Sequence, residues 1–286
     1  MLKNQSGALR ALAVKQIKIM EKIGLIAGNR KFPLLFAKEA KKKNYSIVAV
    51  AIKGDTSGKL KKLVDKIYWL GLSEYSRLFK IFKDEGITKV VMAGQISPRR
   101  LFSKEINKDP ELRDLLSSIK DKRADTIFGK IAEKLKEHGL ELLDSTIFIT
   151  DYLPKKGVLT KKKPDELLSE DIDFGLHLAK AVGELDIGQT VAVKSKAIIA
   201  VEALEGTDNL IKRSGKISRG GITIVKVSKP KQDMRFDVPV VGLNTIKNLI
   251  RIGAQCLAIE ADKTLFIDKK ESLALADKKG LIIVAV

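Results

Sequence analysis

Apolar and polar positions fall into short alternating blocks along the chain. Ile23-Gly24-Leu25-Ile26-Ala27 is apolar and then turns abruptly small and polar at Gly28-Asn29, the profile of a strand buried on both faces. Residues 33–43 follow, with Leu34, Leu35, Ala37 and Ala40 on one helical face and Pro33 suited to the first turn. Residues 46–52 form a β-branched apolar run, hence a second strand. A lysine-rich helix over 58–66 leads to a short strand at Tyr68-Trp69-Leu70. The pattern predicts a helix over 73–85, capped by Ser73 and closed by Gly86. A strand over 89–93 then runs into Gly94-Gln95-Ile96-Ser97-Pro98. Strands alternating with helices imply a parallel α/β sheet, and the small turn after the first strand is Rossmann-like.

Residues 110–139 read as helical and 140–148 as extended. Proline, glycine and the run Lys161-Lys162-Lys163-Pro164 then mark a boundary. Beyond it a helix over 165–185 precedes strand-like runs at 190–193, 197–203, 221–227, 238–241, 257–259, 265–267 and 281–286. Helices are expected at 208–212, 244–252 and 269–278. The fold class is therefore two α/β domains: a Rossmann-like parallel sheet over 21–153, a linker over 154–164, and a mixed α/β domain over 165–286. Residues 1–20 carry four basic side chains and no acid. They read as a mobile leader, with contact to an anionic membrane surface as the alternative.

Charge changes the picture. The 286 residues hold 54 Lys+Arg against 35 Asp+Glu, a formal +19, which invites a nucleic-acid reading. Aromatic content of 5% and the lack of any RNP-type or zinc-finger pattern argue against one. No apolar run is long enough to span a bilayer. One cysteine, Cys256, excludes an intramolecular disulfide and suits a reducing cytoplasm. Two histidines, His138 and His177, exclude a His-rich metal centre, and both fall in helix-like segments of ordinary composition.

Four stretches hold candidate chemistry. Gly28-Asn29-Arg30-Lys31 and Gly94-Gln95-Ile96-Ser97 both follow strands of one parallel sheet, so both lie at its carboxyl edge, where ligands bind. The first would suit a phosphate, with backbone N–H groups beside a helix N-terminus and two cations. Each is equally an ordinary turn. Glu202, Glu205 and Asp208 place three carboxylates in seven residues; they line a polar cleft or bind cations, while Thr207 either joins them or caps the next helix. Asp237 follows a segment from 212 to 235 that holds eight Lys/Arg, Arg235 the last of them, and one acid, Asp233. Such a segment is either a solvated face or the surround of a magnesium-assisted phosphate reaction.

The order of Gly24-Leu25-Ile26-Ala27-Gly28, Ala93-Gly94-Gln95-Ile96-Ser97, Leu185-Asp186-Ile187-Gly188-Gln189, Ala200-Val201-Glu202-Ala203, Glu205-Gly206-Thr207-Asp208 and Arg235-Phe236-Asp237-Val238-Pro239 resembles the LpxI-type UDP-2,3-diacylglucosamine pyrophosphatases, from about residue 22 to the C-terminus. The resemblance implies magnesium-dependent attack of water on the α-phosphorus of UDP-2,3-diacylglucosamine, giving UMP and 2,3-diacylglucosamine 1-phosphate in lipid A biosynthesis. It makes Asp237 catalytic, in metal binding or water activation; Glu202 and Glu205, from the carboxylate-rich turn above, are the further metal-ligand candidates, and the resemblance does not choose between them. Gly28, Asn29, Lys31, Gly94, Gln95, Ser97, Gln189, Thr207, Asp208 and Arg235 would border substrate. Arg30 and Lys31 stand where relatives tend to carry glycines and would replace backbone contact to phosphate. The expected partners are a lipid-linked nucleotide sugar and, peripherally, lipid at the cytoplasmic face of an inner membrane, with no nucleic acid and a homodimer allowed. A non-catalytic binder of the same lipid and a nucleotide-dependent Rossmann-type enzyme are the competing readings, although the first turn lacks GxGxxG.

Overall fold

The computed structural model describes residues 20–96, 100, 103–121 and 123–286. Two α/β units follow one another. In the first, strands β1 (Lys22–Ala27), β2 (Ser46–Ile52), β3 (Lys66–Leu70), β4 (Lys89–Ala93) and β5 (Glu141–Leu142) form one parallel sheet in the order β3-β2-β1-β4-β5. Helices α1 (Phe32–Lys42), α2 (Arg77–Asp84), α3 (Pro110–Ser117) and α4 (Ala124–Glu137) accompany it. Five of the six β1 residues are buried, as expected of a central strand covered on both faces. Phe36 and Ala37 of α1 close one face, and Phe79 and Phe82 of α2 the other.

In the second unit, β6 (Gly157–Val158), β7 (Thr190–Lys194), β8 (Ala197–Val201), β9 (Thr223–Lys226), β11 (Cys256–Ile259) and β13 (Ile282–Ala285) form a mixed sheet, β6-β13-β11-β9-β7-β8. Its β9, β11 and β13 are parallel, while β6 and β7 run against them. Its helices are α5 (Glu166–Glu184), α6 (Thr207–Ser218), α7 (Leu243–Arg251) and α8 (Lys269–Lys279). A two-stranded parallel ribbon of β10 (Val240–Val241) and β12 (Leu265–Phe266) completes it. The units share apolar contact: Leu265 and Ile267 join the cluster of Phe36, Phe148 and Ile149, and Val240 packs against it. The expected class, two α/β domains with a parallel and a mixed sheet, is the observed one.

Several elements differ from the pattern-based expectation. The lysine-rich helix over 58–66 is a 3-10 helix, Gly58–Lys62, capped by Ser57. The helix expected over 73–85 divides into a 3-10 turn, Leu72–Glu74, and α2. Ser73 does not cap it; Ser76 precedes α2 and is held by Asp109, to which its N–H and hydroxyl both donate at 2.9 Å. Only two residues of 140–148 pair as strand. The helix expected over 208–212 continues to Ser218, because Leu210, Ile211 and Ser214 keep one face buried. Residues 157–158, inside the expected linker, are an edge strand on β13. The leader expectation falls on residues 1–19, outside the described residues, with Met20 exposed at their start.

Candidate active site

The carboxyl edges of both sheets carry the candidate residues. In the N-terminal unit the turns after β1 and β4 are sewn together: Gly28 N–H donates to Ala93 O and Asn29 N–H to Gln95 O, both at 2.8 Å. These amides therefore have partners within the protein. Only glycine fits the crossing, since a Cβ on Gly94 (φ +86°) would meet Asn29 O at 2.5 Å. Asn29 Oδ1 is buried without a partner, whereas Gln95 is exposed. Lys31 pairs with Asp268 at 2.6 Å, and Arg30 approaches Asp208 at 4.0 Å. Both cations thus reach carboxylates of the C-terminal unit. Ser97 lies outside the described residues.

Asp237 is placed by both units. Ser145 N–H donates to Met234 O at 3.0 Å, and its buried hydroxyl lies 2.6 Å from Arg235 O and from Met92 O. Phe236 stacks on Phe128 of α4 at 5.8 Å between centroids. Gln189 Nε2 then donates to Asp237 Oδ2 at 3.1 Å, and Gln232 Nε2 donates to Asp237 O. Gln189 is aimed by a tight crossing, because a Cβ on Gly188 would stand 2.0 Å from Glu202 O. Arg235 is turned onto Asp233 by a bidentate pair, Nη2 to Oδ2 at 2.7 Å and Nε to Oδ1 at 3.0 Å.

The residue the sequence reading missed is Lys229. Its ammonium lies 2.5 Å from Asp186, 2.9 Å from Asp125 and 3.6 Å from Asp237, with the side chain only 11% exposed. Burial pushes Lys229 down, but Asp186 and Asp125 outweigh it and hold the ammonium above its ordinary value. Burial raises the Asp125 carboxyl, and the negative charges of Asp237 and Asp186 add to the rise against Lys229. Beside the cluster, Arg123, Asp125, Thr126, Asp186, Lys229 and Lys231 help line a cavity of about 280 Å³ between the units. The loop bearing Lys229 is anchored at Ser228, whose N–H and hydroxyl both donate to Glu260 at 2.7 Å. Burial works against the Glu260 carboxylate, yet Lys180 and Ser228 bring it down to about 2.

A second group forms around Lys226, which is 6% exposed. Its ammonium donates to Thr207 Oγ1 at 2.7 Å, and Thr207 Oγ1 donates to Glu202 Oε1 at 2.9 Å. Glu202 is buried and its Oε2 has no partner. Thr207 opens α6 but is not its cap; Gly206 precedes it with φ +80°. Asp208 accepts from Asn244 and Asn248 of α7 at 3.1 Å each. Glu205 is drawn away to Arg213 at 2.7 Å and accepts from Ala203 N–H at 3.0 Å. Burial opposes its ionisation, but Arg213 leaves the carboxyl below its ordinary value. The structure thus joins Gln189 to Asp237 and Thr207 to Glu202, and leaves Glu205 and Arg235 engaged elsewhere. Among the described residues no three His, Cys, Asp or Glu are arranged to hold a metal ion.

Neither histidine belongs to this edge: His138 stacks on Phe79 and meets Glu111 at 3.0 Å, and His177 Nδ1 lies 2.8 Å from Asp173 O. Cys256 is buried in the core, where burial pushes its thiol up to about 12.

With that geometry in view, the model of the LpxI N-terminal domain matches residues 22–152 and that of the LpxI C-terminal domain matches residues 155–284. The chain belongs to the LpxI family. It is 29% identical over 277 residues to the UDP-2,3-diacylglucosamine pyrophosphatase LpxI of Caulobacter vibrioides, covering 93% of this chain and 98% of that protein. Solved structures give slighter likenesses. The biotin carboxylase subunit of pyruvate carboxylase is 12% identical with a TM-score of 0.27, covering 70% of this LpxI-family chain and 42% of that chain. N5-carboxyaminoimidazole ribonucleotide synthetase from Thermotoga maritima is 17% identical with a TM-score of 0.24, covering 66% and 43%. These two are too distant to bear on function.

Proposed function

We propose that this chain hydrolyses the pyrophosphate of UDP-2,3-diacylglucosamine by attack of water on the α-phosphorus, releasing UMP and 2,3-diacylglucosamine 1-phosphate for lipid A biosynthesis. The observation that carries the reading is the convergence of Gln189 and Lys229 on Asp237 at the junction of the two LpxI domains. In-line displacement at phosphorus needs positioned charge more than a covalent nucleophile. Lys226 supplies a buried ammonium with hydroxyl partners at Thr207 and Thr190, poised for a phosphate oxygen. Gln189 fixes Asp237 Oδ2, leaving the other carboxylate oxygen to take a proton from the attacking water or to hold a metal.

The donor set suits magnesium. Asp125, Asp186 and Asp237 stand around the Lys229 ammonium, with Arg123 3.8 Å from Asp186, so three carboxylates face two cations there and leave a net negative charge. Magnesium is commonly held by one or two carboxylates together with substrate phosphates rather than by a protein cage. Asp237 would hold it; of the other expected ligands, Glu202 stands in the Lys226–Thr207 group with Oε2 unpartnered, and Glu205 is engaged by Arg213. When bound, the ion would neutralise charge on the pyrophosphate oxygens.

The acyl chains need apolar surface. Leu185 and Leu204 are each 69% exposed and Ile187 is 48% exposed, on two loops that meet where Gly188 packs on Glu202. We assign this exposed rim to substrate chains and to peripheral contact with the cytoplasmic face of an inner membrane; among the described residues no helix is long and apolar enough to cross a membrane. The test is hydrolysis of UDP-2,3-diacylglucosamine in ¹⁸O-water, with magnesium and with chelator. The reading expects UMP carrying the label, dependent on the metal. Absence of both products would overturn the activity, and label in the lipid phosphate would overturn attack at the α-phosphorus. A metal titration of Asp237→Asn separates ligand from base: only loss of a ligand raises the apparent metal constant.

A further inference from the structure

We propose that Lys229 is a positioning residue through which Asp125 of the N-terminal domain governs Asp237 of the C-terminal domain; the catalytic part of this rests on the reading above. An ammonium has three N–H donors. Asp186 at 2.5 Å and Asp125 at 2.9 Å engage two of them, and Asp237 stands at 3.6 Å, an ion-pair distance too long for a hydrogen bond. Asp237 Oδ2 is therefore oriented by Gln189 without being captured by Lys229.

Three features make this an arrangement across domains rather than a local salt bridge. Asp125 lies in the first turn of α4, whose Ala132 and Leu135 pack in the N-terminal core. It is 104 residues from Lys229 in sequence. Asp186 is held in a left-handed backbone conformation, φ +56°, on the loop leading to Gln189, so an acceptor of Lys229 and the donor to Asp237 share one loop. Gln232 closes a ring: its Oε1 accepts from Lys229 N–H at 2.7 Å and its Nε2 donates to Asp237 O. Backbone spacing between Lys229 and Asp237 is thereby set, and only the ammonium has freedom to choose among its carboxylates. Without Asp125 the ammonium loses the acceptor that draws it toward the N-terminal domain, and Asp237 Oδ2, 3.6 Å away, is the next acceptor within reach. Lys229 then closes on Oδ2, the oxygen that Gln189 holds, and turns the carboxylate out of the setting that keeps its other oxygen free for catalysis. Domain approach, by supplying Asp125, keeps Asp237 available.

The experiment uses the full chain with Asp125→Asn, Lys229→Met, Lys229→Arg and the Asp125→Asn/Lys229→Met pair. Hydrogen exchange of the 228–237 loop is read first and needs no turnover. Asp125→Asn, a change in the other domain, is expected to raise exchange of that loop several-fold; unchanged exchange would overturn the coupling whether or not the chain is a hydrolase. Kinetics on UDP-2,3-diacylglucosamine then read the consequence. Asp125→Asn is expected to lower kcat by roughly 10-fold and Lys229→Met by roughly 100-fold, with KM within about 3-fold of the parent. Lys229→Arg should recover part of the loss, and the double variant should be no slower than Lys229→Met within about 3-fold, because Asp125 acts through Lys229. Independent, multiplying losses, or losses carried by KM, would overturn the positioning role. Loop exchange that responds in a wild-type chain that does not hydrolyse the lipid would leave the coupling standing and remove only the assigned reaction.

Discussion

The two sides of the cleft are built on different principles. On the N-terminal side, the turns after β1 and β4 are defined by backbone: Gly28 and Asn29 donate to Ala93 and Gln95, and Gly94 permits the crossing. Their cations, Arg30 and Lys31, point across to Asp208 and Asp268. On the C-terminal side, the edge is defined by side chains, with Asp186, Gln189, Glu202, Thr207, Lys226, Lys229 and Asp237 linked in two groups. One side is a shaped frame that lends Asp125 to the cluster, and the other holds most of the ionisable groups. A backbone frame tolerates changes of side chain that keep the turn, whereas the ionic side depends on each group.

That contrast can be broken most directly at Asp237. Asp237→Ala is expected to lower kcat by roughly 10²–10⁴-fold with little change in thermal stability, read by UMP release at saturating substrate. Full turnover by the variant would place the chemistry elsewhere. A smaller effect is expected where the C-terminal side relies on backbone. Gly188→Val would drive a Cβ against Glu202 O, at a cost on the order of 2–4 kcal/mol in thermal or urea unfolding; Gly94→Val should cost a similar amount on the other side, and a much larger loss at either would rank the two crossings.

Glu260 sharpens the comparison through pH. Its carboxyl falls from 4.5 to about 2 in the folded chain, so its contribution is complete above pH 4.5 and is lost as pH falls toward 2. Glu260→Gln is expected to be less stable near pH 7 and to converge with the parent under acid, measured as unfolding midpoints from pH 7 to 2. A gap that widened on acidification would contradict the anchor. The smallest effect is expected from Lys31→Ala, since that lysine is 61% exposed and such pairs contribute about 0–1 kcal/mol. A rise in KM with unchanged stability would instead show that Lys31 serves the substrate.

The long buried elements were legible in sequence and the short ones were not. Residues 46–52 and 89–93 were read with the bounds that β2 and β4 have, because apolar runs in a parallel core stop where burial stops. β6 has two residues, both exposed, and two residues carry no period. Within the site, Asp237, Gln189, Glu202 and Thr207 stood in dense motifs. Lys229 did not, being one of 54 basic residues, and Asp125 resembled any acid in a helix's first turn. Lys226 left a local trace, a charge inside the apolar run Ile222-Thr223-Ile224-Val225-Lys226-Val227. What joins Asp125 to Lys229 is tertiary, and no spacing rule reaches across two domains.

The pairing of Gly157 and Val158 with β13 also shortens the tether between the two halves. Pro154 O accepts from Asp262 N–H at 2.9 Å, and Lys155 pairs with Asp262 at 2.7 Å. The chain joining the domains is therefore stitched to the C-terminal half almost from its first residue, leaving little slack to pay out. With so short a joint, a rigid-body motion of one half against the other would pivot about the neighbourhood of Leu153.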